Sequence, residues 1–331
     1  HSFKDLVIKF ASTVNTAHFP TTPKSLYEPC DYFLTLGGKR IRPVMCLMGN
    51  ELFGEISSDA YEAAKAIELF HNFTLIHDDI MDAASLRRGM ETVHKKYGSS
   101  TAILSGDVMV IRCYDYLNKV DSQHIHKVLH IFNRSAREVC EGQQMDMDFE
   151  QQLQVNLNDY IQMIALKTSV LIAASLEIGA VLGGASEGNC KHIYEFGKNL
   201  GIAFQIQDDY LDAFGDPEKF GKDVGGDIRQ NKKTFLFLHV LEVATPEQKS
   251  EIEQAQPYQE SEKKPLMQEN PTDKVEKMLA IFKACNVDGW AKELKEKYLQ
   301  IAYQHLDDIA VTASRKKPLM ELAEYLIQRD V

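Results

Sequence analysis

The sequence predicts an all-α protein, and three observations carry that prediction: a long stretch without proline, apolar residues recurring at helical spacing, and no convincing strand alternation. All ten prolines lie between positions 20 and 43 or from 217 onward, so residues 44 to 216 lack the residue that most strongly breaks a helix interior. Ser57-Ser58-Asp59 supplies an N-cap, and Ala63, Ala66, Ile67, Phe70 and Thr74 follow at spacings of three and four up to Asp78. One helix therefore ends in carboxylates. Asn158 and Asp159 open a second segment that runs through Ile164, Leu166, Val170, Leu171, Ala174 and Leu176 to the helix-ending pair Gly183-Gly184. That segment is apolar on nearly every face, as a helix with neighbours all round must be, and its interruptions Lys167 and Thr168 need polar partners. Residues 250 to 272 are polar, charged and proline-bearing and read as a surface connection; 273 to 285, 288 to 309 and 315 to 329 read as three further helices. The expectation is a single domain spanning 1–331, a bundle of ten or more helices around a central apolar cavity.

At 331 residues and 44% hydrophobic, the chain can bury a large core. Its 37 basic and 48 acidic residues leave a net charge of −11, which opposes nonspecific attraction to nucleic acid or anionic membranes and favours a small-molecule partner. No eighteen-residue uninterrupted apolar run occurs, and no basic region with an apolar signal core begins the chain. The six cysteines are scattered, with no CxxC pair, and read as reduced, mostly buried thiols. Together these features predict a cytoplasmic protein without stable membrane insertion.

Two segments carry the chemistry. Leu75-Ile-His-Asp-Asp-Ile-Met-Asp82 and Gln205-Ile-Gln-Asp-Asp-Tyr-Leu-Asp212 share the pattern DDxxD 130 positions apart. At a frequency of about 6% for Asp, a chain of this size would hold two such patterns by chance only roughly 0.2% of the time. On a helix the first and last Asp of each cluster stand one turn apart on one face, near enough to ligate shared cations. Each cluster ends an apolar helix flanked by residues such as Phe70, Phe73, Phe204 and Tyr210, so a merely solvated face is the poorer reading. Hard oxygen donors without Cys or paired His select Mg²⁺, which keeps waters and takes further ligands from phosphates. The six carboxylates Asp78, Asp79, Asp82, Asp208, Asp209 and Asp212 are therefore the candidate metal ligands, with several Mg²⁺ ions bridging the clusters and a diphosphate. Cations accompany them. Gly37-Gly-Lys-Arg-Ile-Arg-Pro43 sets three cations within four residues beside two glycines, Arg87-Arg88 follows the first cluster, and Lys222, Lys232 and Lys233 follow the second.

These segments resemble the trans-isoprenyl (polyprenyl) diphosphate synthase family, short-chain type, which includes farnesyl and geranylgeranyl diphosphate synthases. The resemblance covers nearly the whole chain in family order: GGKRIRP at 37 to 43, DDIMD with Arg87-Arg88, Gly142-Gln-Gln-Met-Asp146, Lys167-Thr168, FQIQDDYLD at 204 to 212, and Gly221-Lys222 with Lys232. It implies the isoprenoid synthase type I fold, a homodimer, and Mg²⁺-dependent head-to-tail condensation of isopentenyl diphosphate with an allylic diphosphate. It further implies that Lys39, Arg42, His71 and Arg88 hold isopentenyl diphosphate. Arg87, Lys167, Thr168, Gln205, Lys222 and Lys232, with the metal clusters, would hold the allylic diphosphate, Lys167 acting in catalysis. Gln143 and Asp146 would organise the site without touching substrate. In the family an aromatic five positions before the first Asp, here Phe73, limits chain growth, and farnesyl synthases of the eukaryotic type often add another at the position of Thr74, with Phe70 a turn deeper. One aromatic with the short DDIMD favours the twenty-carbon product, with the fifteen-carbon product as the alternative. A class I terpene cyclase would carry a different second metal motif, an inactive subunit of a heteromeric synthase would have lost ligands that are all present here, and a di-iron bundle needs two ExxH pairs where Glu91-Thr-Val-His94 gives one.

Overall fold

In the computed structural model the proline-free stretch forms long helices, as its composition requires, and the structure describes residues 1–14, 17–152, 154–215, 225–255 and 271–328. In chain order the elements are α1 (Phe3–Val14), α2 (Lys24–Thr35), α3 (Ile41–Phe53), α4 (Ser58–Met81), β1 (Leu86–Arg87), β2 (Met90–Glu91), α5 (Val93–Tyr97), α6 (Ser99–Leu117) and α7 (Ile125–Gln151). Then come α8 (Leu157–Ile164), a π-helical turn (Ala165–Ser169), α9 (Val170–Leu182), α10 (Glu187–Phe214), α11 (Gly226–Arg229), α12 (Phe235–Val243) and α13 (Pro246–Ala255), followed by α14 (Pro271–Ala284), α15 (Val287–Asp308) and α16 (Ala313–Ile327). The chain divides into two compact units, described in turn.

The first unit comprises His1–Arg134, Ile172–Tyr194 and Asp308–Leu319. The predicted cap holds: the Ser57 side chain accepts from the Ala60 N–H, and α4 runs from Ser58 to Met81. Its central position follows from its packing against α6 and α3, with Ala63, Ala66, Ile67 and Leu69 buried. After α4 the chain makes a hairpin in which Leu86 pairs with Glu91 and Arg87 with Met90. Strands of two residues leave no alternation to read in the sequence. Buried Thr92 closes the hairpin's base, its Oγ1 donating to the Ala84 carbonyl at 2.8 Å. Helices α3 and α9 meet backbone to backbone. A Cβ on Gly179 would lie 1.9 Å from the Cys46 carbonyl oxygen, and one on Gly49 would lie 2.3 Å from that of Leu176. Cys30, Cys46, Cys113 and Cys190 are buried free thiols, as expected, whereas Cys140 is exposed.

The second unit comprises Ser135–Leu171, Glu195–Asp307 and the described residues from Met320 onward. Ile206, Phe235, Val240, Met278, Phe282 and Val287 form its core. Asn156, not the expected Asn158, opens α8, its side chain accepting from the Asp159 N–H at 2.8 Å. The predicted connection at 250 to 272 is helical up to Ala255, and residues 256–270 lie outside the described residues. The three C-terminal helices appear with ends shifted by one or two residues. Within the long apolar segment, Lys167-Thr168 fall in the π turn, where α7 comes so close that a Cβ on Gly142 would sit 2.3 Å from the Lys167 nitrogen. Leu157–Leu182 is long and apolar enough to cross a membrane by length and composition, yet most of it is buried inside the protein, the mark of a core helix.

Alanine normally raises helix stability over glycine by about 0.5–1 kcal/mol. At position 179 the backbone oxygen of Cys46 cannot move aside, so Gly179→Ala is expected to reverse that sign and lower stability by about 1–3 kcal/mol. Chemical denaturation reads it; a neutral or stabilising result would remove the close approach of α3 and α9.

Candidate active site

The three carboxylates of the first cluster are not equivalent. Helix geometry puts Asp78 and Asp82 on one face and turns Asp79 away from it. Asp79 is 2% exposed and accepts a two-pronged hydrogen bond from Arg87, Nε to Oδ2 at 2.8 Å and Nη2 to Oδ1 at 2.7 Å. Asp78 is half-buried and Asp82 exposed. The hairpin that carries Arg87 thus serves to bring its guanidinium back onto α4. Asp79 is thus tied to Arg87, whereas Asp78 and Asp82 share the other face of the helix end.

Beside it lies a group of cations. Arg40, at φ +54° before α3, pairs with buried Glu68, which also accepts from Asn72 Nδ2 at 3.1 Å. Arg40 is therefore spent on structure. Arg42 Nη1 lies 3.2 Å from His71 Nε2; an arginine can only donate, so Nε2 accepts and the imidazole proton sits on Nδ1. Burial, followed by the charges of Arg42, Arg88, Arg87 and Arg40, holds His71 well below the usual histidine range. Burial brings Arg42 down to about 10, against the opposing pull of Glu68. Arg88, itself at φ +53°, lays its guanidinium where a Cβ on Gly38 would be, 3.0 Å from Nη2. Gly38, at φ +152°, is thus fixed by conformation and by space. Neither Arg42 nor Arg88 forms an ion pair with a carboxylate among the described residues.

Below the cluster, Phe73 sets its ring edge-on to His77 at 4.8 Å and 5.5 Å from Phe70, and Phe70 meets Phe132 at 5.3 Å. Thr74 Oγ1 donates to the His71 carbonyl at 2.7 Å. His77 Nε2 donates to the Ile103 carbonyl at 3.0 Å, and a Cβ on Gly106 would lie 2.3 Å from that nitrogen, so α6 must be bare there.

The second cluster, in the other unit, repeats the division by different means. Asp209 is 7% exposed and accepts from Gln205 Nε2 at 3.0 Å and from the Tyr160 hydroxyl at 3.1 Å, while Asp208 and Asp212 stay half-buried. Asp212 Oδ2 accepts from the Asp227 N–H at 2.9 Å, and Asp227 pairs with Lys232 at 3.0 Å. Lys167 Nζ meets Asp146 at 2.6 Å, which satisfies the polar interruption of the apolar helix; Thr168 is half-buried on the same turn. Lys233 points elsewhere, donating to the carbonyls of Phe149 and Gln152 at the end of α7. Lys39 is exposed at the start of the Arg40–Arg42 segment, and Lys222 lies outside the described residues.

A family model described as "Polyprenyl synthetase" matches residues 23–270. The chain belongs to that family. It is accordingly a prenyltransferase, and its fold is the isoprenoid synthase type I fold. Among relatives, it is 37% identical to a geranylgeranyl diphosphate synthase of Saccharolobus solfataricus over 99% of both chains. It is 39% identical to a geranylgeranyl pyrophosphate synthase of Geoglobus acetivorans, over 93% of this chain and 92% of that one. A solved geranylgeranyl pyrophosphate synthase superposes with a TM-score of 0.92 at 42% identity, covering 99% of this chain and 98% of its own. Another, from Pyrococcus horikoshii, gives 0.89 at 31% identity over 98% of both.

The donors in this enzyme suit Mg²⁺. They are carboxylate oxygens, the hard donors that this ion prefers, although among the described residues no group of three or more His, Cys, Asp or Glu side chains is gathered closely enough to hold an ion by itself. An ion that keeps waters and takes phosphate oxygens asks for no more. Tyr160 escaped the sequence reading, because nothing at position 160 distinguishes a core tyrosine from one that reaches a carboxylate on another helix.

Burial, then the charge of Asp227, pushes Asp209 up to about 7, against the hydrogen bonds from Gln205 and Tyr160 and the charge of Lys232. A carboxyl raised on folding makes the folded state bind more protons than the unfolded one, so metal-free stability falls as pH rises from about 4 to about 7. Asp209→Asn is expected to flatten that fall and to melt above the parent protein at pH 8. Thermal melts in EDTA across pH decide it; identical slopes would overturn the assignment.

Proposed function

We propose that the enzyme condenses isopentenyl diphosphate with an allylic diphosphate, head to tail and with Mg²⁺, and releases a short-chain all-trans prenyl diphosphate, geranylgeranyl diphosphate in preference to farnesyl diphosphate. The observation that carries this reading is the gathering of arginines around one histidine beside the first aspartate cluster: Arg42 Nη1 lies 3.2 Å from His71 Nε2, the charges of Arg88, Arg87 and Arg40 bear on the same imidazole, and the helix that bears His71 leads into Asp78 and Asp82. The group Lys39, Arg42, His71 and Arg88 holds isopentenyl diphosphate. A neutral His71 with its proton on Nδ1 lets Arg42 stay charged beside it and face an anion.

The allylic diphosphate is held by Arg87, Lys167, Thr168, Lys222 and Lys232, with Gln205 acting through Asp209. Asp78 and Asp82, with Asp208 and Asp212, would hold Mg²⁺, which would supply positive charge against the allylic diphosphate and so favour loss of electrons from its C–O bond. Arg87 keeps Asp79 turned inward, and Asp146 keeps Lys167 extended while leaving two of its ammonium protons for phosphate. When that bond breaks, the electron pair leaves with pyrophosphate. The double bond of isopentenyl diphosphate attacks the allylic carbon, and the resulting cation gives up a proton to the released pyrophosphate, the C–H electron pair forming the new double bond. No side chain becomes covalently attached. The tilted and edge-on aromatic group of Phe73, Phe70 and Phe132 stops chain growth in this reading, and identities of 37% and 39% to geranylgeranyl synthases support the twenty-carbon product.

The chain acts as one polyprenyl synthase domain, 1–331, in the cytoplasm and as a homodimer. Exposed Ile103, Leu104, Ile111 and Tyr114 along α6 support the last point, since large apolar side chains lined up on a helix ask for a cover. Light scattering is expected to give twice the chain mass; a monomer at micromolar concentration would remove the dimer.

Incubation with Mg²⁺, isopentenyl diphosphate and each short allylic primer, followed by chromatography, tests the activity. Elongation mainly to twenty carbons is expected, and failure to extend any primer would sink the reading. Phe73→Ala should lengthen the main product by at least one isoprene unit; an unchanged product would move the stop to another residue.

A further inference from the structure

Tyr160 stands outside the family-derived set of site residues, yet its place in the second unit is unusual. It lies on α8, half-buried, with its ring packed against Phe149, Met163 and Ile164 on one side and the main core of the unit on the other. A ring held on both sides fixes where its hydroxyl points. That hydroxyl donates to Asp209 Oδ2 at 3.1 Å, while Gln205, one turn earlier on α10, donates to Oδ1 at 3.0 Å. Both oxygens of the inner carboxylate are thereby engaged by neutral donors. At the first cluster the equivalent inner residue, Asp79, is engaged by one charged arginine.

We propose that Tyr160 is a positioning residue of the second aspartate cluster, which clamps Asp209 inward so that Asp208 and Asp212 present their carboxylates together to the metal. The inference rests on the Mg²⁺–diphosphate reading above. Rotation of α10 about its axis is the freedom at stake. Asp208 and Asp212 lie one turn apart, and a small rotation or a swing of Asp209 toward solvent would bring a third negative charge onto their face. A phenylalanine at 160 would keep the packing but leave Oδ2 without its donor, and a buried oxygen in that state turns toward water. Outer-shell partners of this kind change metal affinity on the order of tenfold.

Binding of Mn²⁺ to the full-length protein in the presence of inorganic pyrophosphate, followed by electron paramagnetic resonance, reads the effect without turnover. Tyr160→Phe is expected to weaken Mn²⁺ binding by about tenfold, with the KM for isopentenyl diphosphate unchanged and kcat reduced at limiting Mg²⁺. Gln205→Met should act in the same direction. In the double variant with Asp209→Asn the loss should not add to that of Asp209→Asn alone, because Tyr160 acts only through that carboxylate. Parent-like Mn²⁺ affinity in both Tyr160→Phe and Gln205→Met, or losses that add fully, would overturn the proposal. Should Tyr160→Phe fold poorly, Gln205→Met carries the same decision. The parent protein's primer elongation separates the two claims: if the parent elongates and the variants bind Mn²⁺ normally, the positioning role alone fails.

Discussion

A carboxylate buried in a helical protein must be given donors, and this constraint orders the site. A DDxxD segment on a helix cannot point three carboxylates the same way, since the first and last share a face and the second is turned by about 100°. In both clusters the second aspartate goes inward, and the local structure around it exists to satisfy it. For Asp79 that structure is a hairpin returning Arg87 to α4; for Asp209 it is a core tyrosine and a glutamine one turn away. The two solutions differ in electrostatics. Arg87 brings a compensating charge to Asp79, whereas neutral donors leave Asp209 close to protonation at neutral pH.

The cationic group follows the same reasoning with the sign reversed. Guanidiniums collected around His71 repel one another, and Arg40 and Arg87 are neutralised by Glu68 and Asp79. Arg42 and Arg88 remain, and burial lowers both from the usual arginine range. The loop can hold them so close because Gly38 leaves room for the Arg88 guanidinium and because Arg40 and Arg88 accept left-handed backbone conformations. Such strain is sustained by the surrounding ion pairs, and it concentrates positive charge around His71.

In the second unit, packing sets up chemistry more directly. Gly142 allows α7 to approach the π turn, and one turn further on Asp146 meets Lys167. The widened turn carries Lys167 and Thr168, interrupting a helix that is otherwise apolar all round. Lys233 fixes the end of α7 by donating to its last carbonyls, and Lys232 beside it faces Asp227 instead. Adjacent lysines thus divide a structural and an electrostatic task.

The helices, the Ser57 cap, the paired DDxxD clusters and the basic segments were legible in the sequence because each depends on short-range geometry: proline placement, spacing of three and four, and charge within a few residues. Carboxylate types at fixed spacing also pointed to a hard divalent cation and, with the basic residues, to a phosphate-bearing substrate. What the sequence could not assign was how partners are shared. Lys39, Arg40 and Arg42 look alike in GGKRIRP, and only the approach of Glu68 from α4 marks Arg40 as structural. The three aspartates of each cluster look alike too, until Arg87 or Tyr160 meets the inner one. Tyr160 is 49 residues from Asp209, and the contact between Gly142 and the Lys167 turn likewise joins different helices. Sequence periodicity states which face a residue occupies; which group from a distant helix meets that face is decided by packing, and packing is settled only in the tertiary structure.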